Sequence, residues 1–188
     1  MLQGKLVRLR TVREGDLDDL YSKLSDLEYR GSFFPLGIQS EPTFRQKFRE
    51  DGLWGKEEGM LLMVDADHEI VGEIEFYPIV HYLVGYELSY LLFGAGHSGK
   101  GYTTEAVKLM TAYLFANKRI NRVQLAIHPK NEASRRVAQK SGYTLEGLMR
   151  GCWFHQGTFQ DLEIWAVLRD ELPTSTVVPT GFEPVSPP

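Results

Sequence analysis

Apolar residues recur along this chain with two periods, and each change of period marks an element. Leu17, Leu20, Tyr21 and Leu24 sit at i, i+3, i+4 and i+7, one face of a helix. Phe44 and Phe48 share the face of a second helix, for which Ser40 and Pro42 supply the start. Residues 5–10 alternate instead and predict an edge strand, and Thr11 and Glu14 behind it have capping-box spacing. Residues 60–64 and 70–77 predict a hairpin around Asp65-Ala66-Asp67-His68. In its second strand Ile70, Gly72, Ile74 and Phe76 belong to one side, and Val71, Glu73, Glu75 and Tyr77 to the other. Residues 84–93 predict a further strand, with Gly85, Glu87 and Ser89 facing away from Tyr86, Leu88 and Tyr90.

That strand runs into Gly94-Ala95-Gly96-His97-Ser98-Gly99-Lys100-Gly101-Tyr102-Thr103-Thr104. Residues 105–117 follow, apolar nearly all round, and predict a buried central helix. Residues 122–127 predict a buried strand, so strand, helix and strand imply local parallel pairing inside a mixed sheet. Asn131 is an N-cap candidate for a helix over 135–141, with Gly142 just past its end. Residues 149–154 and 162–167 predict a closing hairpin. Residues 173–188 are proline-rich and aperiodic, which predicts a disordered tail behind a domain of residues 1–172.

A strand, a glycine-rich turn and a helix start make an anion site. The first helical N–H groups lack intrahelical partners, and the helix dipole adds partial positive charge there. Two phosphate-binding loops compete for the stretch. Gly94, Gly99 and Lys100 fit the nucleotide P-loop, but Gly101 stands where that loop needs a hydroxyl for magnesium. The net charge of −4 argues against nucleic acid as a partner and suits a cationic amine. The single Cys152 excludes an internal disulfide, and the five histidines show no zinc-ligand spacing, so no metal is expected. The N-terminus has no signal-peptide core and no run reaches membrane-spanning length, which predicts a soluble cytoplasmic protein with no membrane partner.

The second phosphate reading is a family resemblance. Ser98-Gly99-Lys100-Gly101-Tyr102-Thr103-Thr104-Glu105-Ala106 resembles the pyrophosphate loop of the GNAT superfamily of N-acetyltransferases, in the form found in its RimJ/RimL-type branch. Ser98 stands where Arg or Gln is usual, and Thr103 where Gly or Ala is usual. Asn131, Ser134, Val137, Gly142 and Tyr143 are similar to a second stretch of the same branch. The resemblance spans residues 5–169. It implies an α+β fold: one domain with a mixed, mostly antiparallel sheet flanked by helices, and a splayed parallel strand pair at the CoA site. It implies acetyl-CoA as donor and an amine as acceptor, and it leaves homodimerisation open.

The same resemblance suggests site residues. Leu91, Leu92 and Phe93 would offer backbone N–H groups to the thioester oxygen. Ser98, Gly99, Lys100, Gly101, Tyr102, Thr103 and Thr104, with Asn131 and Ser134, would hold CoA. Many members use a Tyr as proton donor at a position held here by Ala138, so Ser134 becomes the implied donor. Glu87 is the first candidate base. Leu83 stands where the branch often has an acid, which keeps Glu73, Glu75 and Asp161 as alternatives. Phe33, Phe34 and Trp54 are either acceptor wall or plain core. His97 and His128 are expected to line loops. A lysine amine costs about 4–5 kcal/mol to deprotonate at pH 7 and an α-amine about 1, which favours a peptide N-terminus or a small amine. The rival class is a non-catalytic acyl-CoA-binding or partner-binding domain on the same fold.

Overall fold

The computed structural model describes residues 1–80 and 82–172. One eight-stranded sheet runs through them in the order β1-β2-β3-β4-β5-β6-β8-β7. The strands are β1 (Leu2–Gln3), β2 (Arg8–Thr11), β3 (Gly59–Val64), β4 (Ile70–Pro78), β5 (Gly85–Leu92), β6 (Arg122–Ile127), β7 (Thr144–His155) and β8 (Thr158–Leu168). All neighbouring pairs are antiparallel except β5 with β6. The helices are α1 (Leu17–Ser25), α2 (Leu27–Arg30), α3 (Glu41–Asp51), α4 (Tyr102–Asn117) and α5 (Glu132–Lys140). The expected tail at 173–188 lies outside the described residues.

Each face of the sheet carries its own core. On one, α4 places Val107, Met110 and Leu114 against Leu9, Met63, Ile74, Phe76 and Leu88, and α5 adds Ala138. On the other, Leu17 and Leu20 of α1 and Phe44 of α3 pack on Leu62, Val64, Leu91 and Phe93. α4 is apolar all round because it is buried on several sides, as its sequence predicts. Trp54 packs edge-on against Phe76, with ring centroids 5.2 Å apart, and so belongs to the core.

Three local expectations are revised. Residues 5–7 form a turn rather than a strand, because their N–H groups donate to the Glu105 carboxylate at 2.6–2.8 Å. Thr11 and Glu14 do not cap α1. Asp16 takes that place, accepting the Arg13 N–H at 2.7 Å and pairing with Arg10 at 2.6 Å. Val71 joins the core of Ile74 and Phe76 instead of opposing them, since the β3–β4 register shifts between Met63 and Val64. One extra residue in a ladder reverses which face its neighbours take.

Candidate active site

The parallel pair β5–β6 holds together for only three residue pairs, Gly85 with Arg122, Tyr86 with Val123 and Glu87 with Gln124. Gly85 permits that close start, since a Cβ there would lie 2.6 Å from Arg122 Cγ. Beyond Glu87 the strands part. β5 stays paired with β4 as far as Leu92, and β6 with β8 as far as Ile127. The two edges that face each other across the gap line a cleft of about 750 Å³, together with residues 31–35, the loop before α4, and α5.

Within the gap the backbone sorts itself by alternation. Phe93 N–H donates to Val71 O at 2.8 Å, toward β4. Successive N–H groups of an antiparallel strand point to opposite sides, so Leu91 turns toward β4 as well and Leu92 points into the gap. Of the three expected donors, Leu92 is the one left free for a ligand. Leu91 lines the cleft by its position, and Phe93 is core.

At the far end α4 begins. Gly101 is its N-cap residue at φ +88°, and no side chain caps the helix. The N–H groups of Tyr102, Thr103 and Thr104 therefore open toward the cleft, which these residues line with Ser98, Gly99 and Gly101. Glu105 could have spoiled the site with its charge, but three backbone N–H groups hold it on the other side. Lys100 is not among the lining residues, and its Nζ sits over the Tyr102 ring, 5.8 Å from the centroid. Arg136 and Lys140 of α5 line the cleft instead, two cations that are not among the expected CoA-binding residues.

Asn131 caps α5 by accepting the Ser134 N–H at 3.1 Å, which points the first turn of that helix at the gap. Tyr90 of β5 faces it. Its hydroxyl is buried without a formed hydrogen bond. Burial pushes this phenol up to about 12, and the Ser134 neighbour pulls slightly the other way. Tyr90 thus remains a neutral O–H donor beside the serine, although the motif's own tyrosine position is the buried Ala138.

Glu87 lies where the strands part. Its carboxylate accepts the Tyr77 hydroxyl at 3.0 Å and Gln124 Nε2 at 2.7 Å. Burial, then the Glu87 charge and their hydrogen bond, hold Tyr77 well above the ordinary phenol range, so it stays a donor. The alternative carboxyls are elsewhere. Glu73 is fully buried with both oxygens unpartnered, Glu75 lines a smaller cavity of about 240 Å³, and Asp161 accepts the Gly151 N–H at 2.7 Å in the β7–β8 hairpin. Burial first, then the charge of Glu75, keeps Glu73 well above the usual carboxylate range.

Aromatic rings close the remaining side. Phe33 stacks on His128 at 5.1 Å, His128 meets Trp153 edge-on at 6.3 Å, and Trp153 stacks on His155 at 3.9 Å. His155 in turn bonds Ser32 O at 2.9 Å and ties the loop to β7. Phe33 and Phe34 line the cleft, Phe34 packing on the core as well, whereas Trp54 does not line it. His97 and His128 both line the cleft, and His128 Nδ1 accepts the Lys130 N–H at 3.1 Å, a loop-capping role.

A split between parallel strands with an uncapped helix start at one end fits a long thioester donor. Its amide chain would find free strand edges, and its phosphates would find helical N–H groups. Comparison with known proteins agrees. A family model described as "Acetyltransferase (GNAT) domain" matches residues 7–144. The chain is 24% identical to the probable N-acetyltransferase YjcK of Bacillus subtilis over 91% of this chain and 98% of that protein. The fold matches a spermidine N-acetyltransferase from Vibrio cholerae, solved with CoA and spermine, at a TM-score of 0.75 and 18% identity over 89% of this chain and 98% of that one. It also matches RimL, a ribosomal L7/L12 α-N-protein acetyltransferase solved with coenzyme A, at a TM-score of 0.73 and 20% identity over 89% and 97%.

Proposed function

The chain belongs to the GNAT family of acetyl-CoA-dependent N-acetyltransferases, and we propose that its acceptor is a peptide α-amine or a small primary amine, acetylated by direct transfer in the cytoplasm. The observation that carries this reading is the pairing of a split strand edge with a hydrogen-bonded carboxylate at the point of divergence. The amine nitrogen attacks the thioester carbon, a C–N bond forms, the C–S bond breaks, and the thiolate departs. Leu92 N–H stabilises the carbonyl oxygen as it becomes negative. Glu87, held by Tyr77 and Gln124, takes a proton from the amine directly or through water. Ser134 gives a proton to the thiolate, and the first turn of α5 favours the charge while it lasts.

Holding the donor falls to the α4 start, residues 98–104, with Asn131 and Ser134 on α5. Arg136 and Lys140 add cationic charge to the same end. An α-amine suits this carboxylate better than a lysine, because the proton to be removed costs about 1 rather than 4–5 kcal/mol at pH 7. The solved relatives span both acceptor types, a polyamine in one and a protein α-amine in the other. Thiol release from acetyl-CoA across a panel of N-terminal peptides, small amines and polyamines tests the reading. Turnover with an α-amine or small amine is expected. Tight CoA binding with no turnover on any amine would instead favour a binding domain on this fold.

A further inference from the structure

Arg30 ends α2 with half of its guanidinium satisfied. Nη1 donates to Gly37 O at 3.0 Å, and the Phe34 ring lies 5.5 Å from Cζ. The other edge is different. Nε and Nη2 are shielded from water and have no partner among the described residues. No carboxylate among the described residues is paired with the group, and burial alone lowers its pKa. An arginine does not escape that cost by losing its proton. The Nε–Nη2 edge carries two parallel N–H groups, the fork that matches a carboxylate bidentately.

Its place in the fold gives the fork a purpose. Arg30, Phe34 and Tyr77 line both the main cleft and the smaller cavity beside it, so they form the junction of the two. Tyr77 is also the residue that donates to Glu87. An anion receptor and the carboxylate assigned to the amine therefore share one junction. Resting on the acetyl-transfer reading, we propose that the acceptor carries a carboxylate close to its amine and that the Nε–Nη2 edge of Arg30 receives it. A small turn of this long side chain within the cavity wall brings the fork onto the ligand. The acceptor is then amino-acid-like: either a free amino acid held by its α-carboxylate, or a peptide N-terminus followed by an acidic side chain. Polyamines, which bring a second cation to this junction, are disfavoured.

The test needs only matched acceptors and the full-length protein. Values of kcat/KM with acetyl-CoA, each referred to the unprotonated fraction of the amine at the assay pH, are compared for alanine against alaninamide, and for Ala-Glu-Ala-amide against Ala-Gln-Ala-amide. One pair should favour the acid by about 10- to 100-fold, the range for a charge-assisted bidentate contact, and the pair that does so identifies the source. In Arg30→Gln the ratio of acid to neutral acceptor should fall to about one, through KM for the acid. Arg30→Lys, which keeps the charge without the fork, should keep only part of it. Equal rates within both pairs in the wild-type enzyme overturn the inference, and that result needs no variant to fold. Arg30→Gln slowing acid and neutral acceptors alike overturns it too, since Arg30 would then act only through the Gly37 loop. Turnover confined to neutral amines leaves acetyl transfer standing and removes this inference alone. No turnover with any amine removes both.

Discussion

One wall of the cleft comes from two local stretches, Leu91 through the loop before α4 into its first turn, and the end of β6 into α5. The other is assembled from residues 30–35, Tyr77, Glu87 and Trp153, with Gln124 behind Glu87. The first wall works largely through backbone: a free N–H at Leu92, an uncapped helix start, a capped one facing it. The second works through side chains on separate elements. Backbone geometry of that kind is written in local spacing, so it tolerates many side chains but few changes at its glycines. A side-chain wall tolerates backbone drift yet depends on each group it presents. Substitutions on the two walls should therefore fail in different ways.

The largest effect belongs to the backbone wall. Acetyl-CoA should raise the melting temperature of the wild-type protein by mass action, corresponding to about 2.7 kcal/mol at a hundred times its Kd. Gly101→Asp should abolish that rise. Its carboxylate would repel phosphate, its Cβ would lie 3.1 Å from Leu6 Cδ1, and φ of +88° strains any L residue. Gly101→Ala keeps the strain and the Leu6 contact without the charge, so a partial rise there separates the two causes. ATP with magnesium should stabilise the wild type little. A larger shift from ATP than from acetyl-CoA would restore the nucleotide P-loop reading.

Next in size is Ser134→Ala, expected to lower turnover roughly 10- to 1000-fold, below or within the range for a positioned acid because water substitutes in part. CoA affinity should fall far less than turnover, since the α4 start is untouched and Ser134 is one contact among several. Tyr90→Phe in the same assay shows whether the neighbouring phenol feeds the serine, through a further loss in wild type that is absent in the Ser134→Ala background. Full activity of Ser134→Ala would move the proton donor elsewhere, with Tyr90 first in line.

On the side-chain wall, Glu87→Gln should lower turnover about 10- to 100-fold at pH 7, in the lower part of the range for a positioned base. The loss should shrink as pH rises toward the acceptor's own pKa and the amine sheds its proton unaided. Tyr77→Phe should give a smaller loss with the same pH dependence, because it removes one of the two hydrogen bonds that hold Glu87. A loss that does not vary with pH would make Glu87 an orienting group.

The backbone wall is also the part that the sequence makes legible. Strand, glycine run and helix start follow one another in the chain, and Asn131 with Ser134 repeats the logic one element later. The hairpins, the local parallel pairing in a mixed sheet and the buried central helix follow from the same spacing, whereas the order of the strands across the sheet does not. What spacing cannot carry is coincidence in space. Gln124 reaches Glu87 across a strand pair, and Arg30 meets Tyr77 from nearly 50 residues away, without any local mark. Val71 shows a second limit: one register shift undoes an alternation that reads cleanly in one dimension. The same holds for Glu105, an ordinary first-turn acid in the sequence that gathers three N–H groups from the N-terminal turn.

The smallest effect concerns stability and lies beneath the side-chain wall. Glu73 is fully buried between Leu62 and Leu91, with no partner for either oxygen. Its carboxyl is held above the usual range by burial and by Glu75. Between the ordinary carboxylate pKa and that raised value, the unfolded chain has released this proton and the folded chain has kept it. The folded state then binds more protons, so stability falls as pH rises. Below the ordinary range both states are protonated and this term disappears. Glu73→Met fills similar space without a titrating group. It should raise the melting temperature at every pH, with the advantage over wild type larger at pH 8 than at pH 4. Thermal melts of both proteins across that range decide the point. An advantage constant with pH would mean that Glu73 titrates alike in the folded and unfolded chain, and a lower melting temperature throughout would mean that the buried acid supports the sheet under Leu91.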